Sequence, residues 1–462
     1  MITNDTIVAI ATPPGTGAIA VIRLSGYDAI KLCNQVFRKK NNPSFSLLLQ
    51  KSHTIHFGEI IINNQILDEV LVSLFYAPHS YTGENVVEIS CHGSTFIQQQ
   101  LLQLFIAKGA RLANPGEFTL RAFLNKKLDL SQAEAVADII ASNSATAHQV
   151  AMMHMRGGFS HKINLLRQEL IDFAALIELE LDFSEEDVEF ANREDLKKLI
   201  VSLQNIITKL INSFELGNVI KNGIPVVIAG KPNAGKSTLL NALLQEEKAI
   251  VSDIPGTTRD TIEDEVTIEG VLFRFIDTAG LRNTTDAIEQ IGVSRAIEKL
   301  KTASIIIYLF DVNELTPGEL QNILNDLKTQ APQAQILPVA NKIDTQNEQT
   351  VYKEFSSISN LLYISAKTHK NIDVLKNKLI EIFDNNSINV PETVVTNSRH
   401  VDALKKALHT LEKVFEGLNA NLSGELIARD IRECLYYLGL ITGEIYTDDI
   451  LDSIFSRFCI GK

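Results

Sequence analysis

PVVIAGKPNAGKSTLLNALLQ, residues 225–245, decides how this chain is read. PVVIA is a short apolar run of strand character, and STLLNALLQ has helical spacing. Between them GKPNAGKS at 230–237 fits the pattern GxxxxGK[ST]. A strand feeding a glycine-rich loop and then a helix lets backbone N–H groups curl around phosphates, and the positive end of the helix adds to the attraction. Lys236 would reach the β- and γ-phosphates, and the Ser237 hydroxyl would ligate Mg²⁺. Asn233, Ala234, Gly235 and Thr238 complete the loop. Alone, the loop also reads as a glycine-rich turn.

Further segments follow in working order. DTAG (Asp277, Thr278, Ala279, Gly280) follows the strand FRFI. There Asp277 would hold the metal through water, and the Gly280 amide would bind the γ-phosphate. NKID places Asn341, Lys342 and Asp344 after another strand. Asp344 can accept from N1 and the exocyclic amine of guanine. Adenine lacks those donors, so a buried carboxylate would be left unpaired and GTP is preferred. In SAK (Ser365, Ala366, Lys367) the Ala366 amide would support the base edge. Each segment alone is weak; together they predict a GTP-hydrolysing site.

The residue after DTAG is Leu281, an aliphatic side chain that cannot orient water. Glu289 is the candidate for that task, and a solvated helix-start glutamate is the competing reading. IVSDIPGTTRD, 250–260, would close over the nucleotide with Ser252, Asp253, Ile254, Pro255, Gly256, Thr257 and Thr258. Thr258 is placed to ligate Mg²⁺. Asn233 with the carbonyls of Ser252 and Ile254, and Thr257 beside them, would cage a monovalent cation in place of an arginine. Otherwise Asn233 is a structural residue of the loop.

Around this core the chain changes texture. Residues 1–118 mix β-rich runs with helices as a compact α+β unit, with a hairpin turn at Asn63-Asn64. Residues 119–220 and 385–462 are helical. Residues 221–384 alternate strands and helices, the signature of a mostly parallel, doubly wound sheet inserted into the helical domain. The pair joined at Glu269-Gly270 is the expected antiparallel exception. The net charge of −13 argues against non-specific coating of nucleic acid. No long apolar run suggests a signal or membrane span. The four cysteines are scattered without a CxxC pair, so a disulfide framework or zinc site is not expected and a reducing cytoplasm is.

Over its whole length the sequence resembles the MnmE (TrmE) family of tRNA modification GTPases. DTIVAIATPPGTGAIAVIRLSG, YTGENVVEISCHGS, NPGEFTLRAFLNKKLDLSQAEA, GKPNAGKST, IPGTTRD, IDTAGLR and FCIGK carry the likeness. The resemblance implies a Ras-like P-loop G domain and a potassium-stimulated GTP hydrolase whose G domains meet across a homodimer. Asn233 then matches a potassium ligand and Glu289 a catalytic glutamate. A flavoprotein partner, MnmG, would carry FAD and form a heterotetramer or larger complex. Together they would add a carboxymethylaminomethyl-type group to C5 of the wobble uridine of certain tRNAs. A 5-formyltetrahydrofolate-type folate would lie in the N-terminal domain against Arg23, Glu84, Lys127 and Lys462. Cys459 is either a functional thiol or a small apolar packing residue. His92 has no His, Cys or carboxylate partner at metal spacing and is expected to be structural. Rival readings are a ribosome-assembly GTPase, a folate-dependent one-carbon transferase with a regulatory G domain, and an interaction switch that barely hydrolyses GTP.

Overall fold

The computed structural model describes residues 5–182, 193–247, 264–276, 303–386 and 393–462. They fall into two compact units. One comprises Met1–Ile140, Met152–Gln204 and Ala403–Lys462; the other comprises Ala141–Ala151 and Asn205–Asp402.

The first unit is built on a seven-stranded sheet. Its strands are β1 (Ile7–Ile10), β2 (Ile19–Ser25), β3 (Phe37–Arg38), β4 (Thr54–Ile62), β5 (Gln65–Phe75), β6 (Val86–His92) and β7 (Arg111–Leu112), in the order β3-β4-β5-β6-β2-β1-β7. Only β1 and β7 pair in parallel. Asn63 and Asn64 join β4 to β5 with φ of +49° and +65°, the left-handed pair that a two-residue hairpin requires and that asparagine tolerates. Period-two alternation sends Ile22, Leu24, Val72, Leu74, Val87 and Ile89 into a core with Leu101 and Phe105 of the helix Thr95–Ala107. Arg23 and Glu88, directly opposed across β2 and β6, take the other face. A second apolar cluster joins Phe123 and Leu130 to Leu451, Phe455 and Phe458. It seats the helix Asp448–Phe455 against Glu117–Leu124. The helices Gly158–Asp182 and Gly424–Thr442 pack on one another, and Arg167 is ion-paired with Glu444 beside them.

The second unit carries a six-stranded sheet: β8 (Ile224–Ala229), β9 (Asp264–Ile268), β10 (Val271–Phe275), β11 (Ile305–Asp311), β12 (Gln335–Asn341) and β13 (Leu362–Tyr363), ordered β13-β12-β11-β8-β10-β9. All neighbours are parallel except β9 and β10, which turn at Glu269-Gly270 as the sequence predicts. Every residue of β11 is buried. Ile305, Ile307 and Leu309 face a core shared with Leu239, Leu243, Leu375 and Leu379, whereas Ile306, Tyr308 and Phe310 face Leu320, Leu327, Val351 and Phe355. A strand buried on both faces needs helices on both faces, and the two clusters supply them. The helix Pro317–Gln330 starts with a reciprocal capping box between Thr316 and Glu319, and Pro317 opens it.

Candidate functional site

β8 lies where the sheet order reverses, with β11 on one side and β10 on the other. In open α/β sheets, ligands gather in the crevice beyond the strand ends at such a point. The loop Gly230–Gly235 leaves β8 there and enters the helix Lys236–Glu247. Asn233 sits at φ +67°, a left-handed conformation that asparagine reaches at low cost. Gly235 sits at φ +95°, and a Cβ there would lie 2.3 Å from Nδ2 of Asn341. Only glycine allows that approach. The Lys236 ammonium folds over the loop and donates to the carbonyls of Gly230 at 2.7 Å and Lys231 at 2.9 Å. Burial holds it below the ordinary lysine value. A phosphate would compete with those carbonyls for the same ammonium protons. Ser237 is half-buried and Thr238 exposed on the first turn of the helix.

Asn341 ends β12 and is 2% exposed. Its Nδ2 donates to the Ala234 carbonyl at 2.7 Å, and its Oδ1 accepts from the Ala366 amide at 3.0 Å. One side chain therefore fastens the phosphate loop, the end of β12 and the SAK segment together. Lys342 takes φ +65° and pairs with Asp311 at 2.7 Å. Burial pushes the Asp311 carboxyl up, but bonds from Lys342, the Asn313 amide and the Asn313 side chain outweigh it and hold the group below the ordinary aspartate value. Asp344 lies exposed in the single turn Ile343–Thr345. Ser365 and Ala366 are buried, and Lys367 is exposed.

In the first unit, Arg23 Nε donates to Glu88 Oε1 at 2.9 Å, and its Nη1 donates to the Gly461 carbonyl at 3.1 Å. Its guanidinium lies 5.7 Å from the Tyr81 ring centroid and 5.6 Å from that of Phe118, within cation–π range. The Phe118 amide donates to the Lys462 carbonyl at 3.1 Å, and the Gly116 amide to the Cys459 carbonyl at 3.4 Å. A Cβ on Gly461 would meet the Ile10 carbonyl oxygen at 2.2 Å. Burial, then the neighbouring Arg23, hold the Lys462 ammonium below its ordinary value. Arg23 and Lys462 are thus neighbouring cations. Glu84 accepts from Ser25 Oγ at 2.7 Å and from Arg121 Nη1 at 3.1 Å. Lys127 donates to the Pro78 carbonyl at 3.1 Å, and its stem passes the Gly83 position.

Arg121, which no motif singles out, is the hub of a buried network with Asp5, Glu84 and Glu117. Its one sequence signal is the i,i+4 pair with Glu117 on the same helix. Tyr81 and Phe118 are likewise visible only once the fold is assembled.

His92 takes a structural carboxylate partner: Asp68 Oδ1 lies 2.6 Å from its Nδ1, and Asp68 Oδ2 accepts the His92 amide at 2.8 Å. Asp68 comes from the neighbouring strand β5, so the pairing is set by sheet register and not by sequence spacing. Cys459 is exposed while Phe458 is buried, which removes the packing reading. Burial pushes the Cys91 thiol up to about 11 and the Cys434 thiol up to about 12. Ser252 to Thr258, Asp277 to Gly280, Leu281 and Glu289 lie outside the described residues.

Strand, loop and helix together are those of a phosphate-loop α/β protein. A family model described as the MnmE helical domain matches residues 130–459, and one described as the GTP-binding protein TrmE N-terminus matches residues 6–127. A tRNA modification GTPase MnmE of Cytophaga hutchinsonii is 56% identical over 459 residues, covering 99% of this chain and 98% of the relative. Proteins of that name from Flavobacterium johnsoniae and Bacteroides fragilis are 54% and 49% identical, covering 100% and 99% of this chain and the whole length of each relative. The chain belongs to the MnmE family.

Proposed function

We propose that this chain is a potassium-stimulated GTP hydrolase of tRNA modification. It acts in the cytoplasm as a homodimer with a flavoprotein partner to add a carboxymethylaminomethyl group to C5 of the wobble uridine of certain tRNAs. The observation that carries the reading is the Asn341 side chain, bonded to both Ala234 and Ala366. It holds the phosphate-gripping and base-reading segments at one strand end. Named relatives of this length and identity are tRNA modification GTPases, which supports the same conclusion.

Within this reading Lys236 meets the phosphates, Asp344 reads guanine and Ala366 supports the base. Ser237 with Thr258 would hold Mg²⁺, which screens the charge that develops on the phosphates. The half-buried Ser237 hydroxyl beside Lys236 suits that task. Asn233 with Ser252, Ile254 and Thr257 would hold K⁺, and Glu289 would orient water. Asp277 to Gly280 would contact the γ-phosphate side. The N-terminal unit would take a 5-formyltetrahydrofolate-type folate, a one-carbon donor. Arg23 and Lys462 would provide cationic groups for its carboxylates and Glu84 an acceptor, with the Tyr81 ring beside Arg23. Lys127 and Cys459 border that region.

The test has two arms. GTP turnover is measured in K⁺ and in Na⁺ at equal ionic strength, with faster turnover in K⁺ expected. Wobble uridines from a deletion strain are then compared by mass spectrometry with those from the complemented strain. Unchanged uridine modification in the deletion strain would overturn the tRNA assignment, and equal turnover in both salts the potassium assignment.

A further inference from the structure

Asp344 is itself exposed, yet polar anchors lie on either side of it. On one side Lys342, at φ +65°, is tied to Asp311 at 2.7 Å. On the other, Asn313 Nδ2 donates to Thr345 Oγ1 at 2.9 Å, and Gln346 Nε2 donates to Asn313 Oδ1 at 2.7 Å. These two anchors are joined. The Asn313 amide and Nδ2 both donate to Asp311 Oδ1, at 2.9 and 2.7 Å. The backbone closes the same frame: the Val312 amide donates to the Asn341 carbonyl at 3.2 Å. Asp311 ends β11 and is 6% exposed, so its carboxylate is a fixed point on a strand buried on both faces.

We infer that Asp311 and Asn313 form a positioning bracket that sets the placement of Lys342 and Asp344, and thereby the affinity and selectivity for the guanine base. The inference rests on the guanine-nucleotide reading of the site. Neither residue touches the phosphates; both act through the segment 342–346. An exposed carboxylate on a free loop would sample many orientations and lose entropy on binding. A bracket anchored to the sheet removes that cost before the base arrives. The bracket therefore acts on binding of the base and leaves the chemistry at the phosphates alone.

The experiment compares wild type, Asp311→Asn and Asn313→Ala with GTP, ITP and ATP as substrates. ITP lacks the exocyclic 2-amine that Asp344 would accept from, so the GTP/ITP ratio of kcat/KM reports the placement of that carboxylate. Both variants are expected to raise KM for GTP by roughly ten- to a hundredfold, keep kcat at saturating GTP, and bring the GTP/ITP ratio towards one. Asn313 is exposed, so its variant keeps the test sound if Asp311→Asn folds poorly. A GTP/ITP ratio equal to wild type in Asn313→Ala, or a fall in kcat at unchanged KM, would overturn the bracket. Wild type that fails to prefer GTP over ATP would instead sink the guanine reading itself.

Discussion

The Asn341 side-chain amide donates to the Ala234 carbonyl at 2.7 Å across 107 residues of sequence, and both groups are buried. The phosphate loop is thereby fastened to the end of a strand two places away in the sheet. Replacing Asn341 with Ala would leave the Ala234 carbonyl and the Ala366 amide without partners in a dry setting. The expected cost is about 1–3 kcal/mol of stability for each orphaned group. Urea unfolding with and without GDP checks it: the nucleotide-free midpoint should fall, and the shift given by GDP should shrink.

Asp344→Asn replaces one of the two acceptor oxygens with an NH₂ donor and keeps the other as an acceptor. Guanine should then be rejected and xanthine, which carries a carbonyl in place of the 2-amine, accepted. The specificity constant for GTP is expected to drop by roughly three orders of magnitude, with turnover of XTP appearing in its place. Steady-state assays with both nucleotides measure this, and equal losses for the two would refute the base-reading role.

Glu117 predicts an acid limb. Burial pushes its carboxyl up, but bonds from Arg111, the Asn114 amide and Arg121 outweigh that and hold it below the ordinary glutamate value. A carboxyl with a depressed folded value stabilises fully above its unfolded value, and loses that contribution as pH falls through the folded one. Stability should therefore decline below the ordinary glutamate range. Glu117→Gln, expected to be less stable at neutral pH, should show a shallower decline in urea midpoints between neutral and acid pH.

Lys236 predicts the opposite limb. Its folded value is depressed by burial, so at alkaline pH the unfolded chain binds more protons than the folded one. Nucleotide-free protein should gain stability from this group as pH rises from the depressed value to the ordinary lysine value. Phosphate in the loop should restore the proton. GDP binding followed by calorimetry in alkaline buffers of different ionisation enthalpy should report proton uptake that is absent in Lys236→Met.

Gly461→Ala should displace the Cys459–Lys462 segment, because the new Cβ would strike the Ile10 carbonyl and the glycine φ is +98°. A loss of about 1–3 kcal/mol is expected. Limited proteolysis should cut near Arg457 in the variant before it does so in wild type.

Features carried by short-range chemistry were legible in the sequence. The strand, loop and helix around Gly230 follow from local spacing, and the turns at Asn63-Asn64 and Glu269-Gly270 from the asparagines and the glycine, which tolerate positive φ. What escaped depends on long-range register. Asp68 meets His92 only because β5 and β6 pair in one alignment, and Arg121 gathers Asp5 and Glu84 from separate loops. Asp311 and Asn313 carried no motif, since their partners lie some thirty residues on.

The bond from Arg23 to the Gly461 carbonyl spans 438 positions. At translation speeds of 5–20 residues per second, about 20–90 s separate the appearance of the two partners. The first sheet to leave the ribosome therefore waits, with Arg23, Phe118 and Ile10 lacking the contacts that Cys459–Lys462 makes, until that segment has been synthesised. Nascent chains stalled before residue 459 should hold an N-terminal unit without these contacts, and chains that carry residues 459–462 clear of the ribosome should form them.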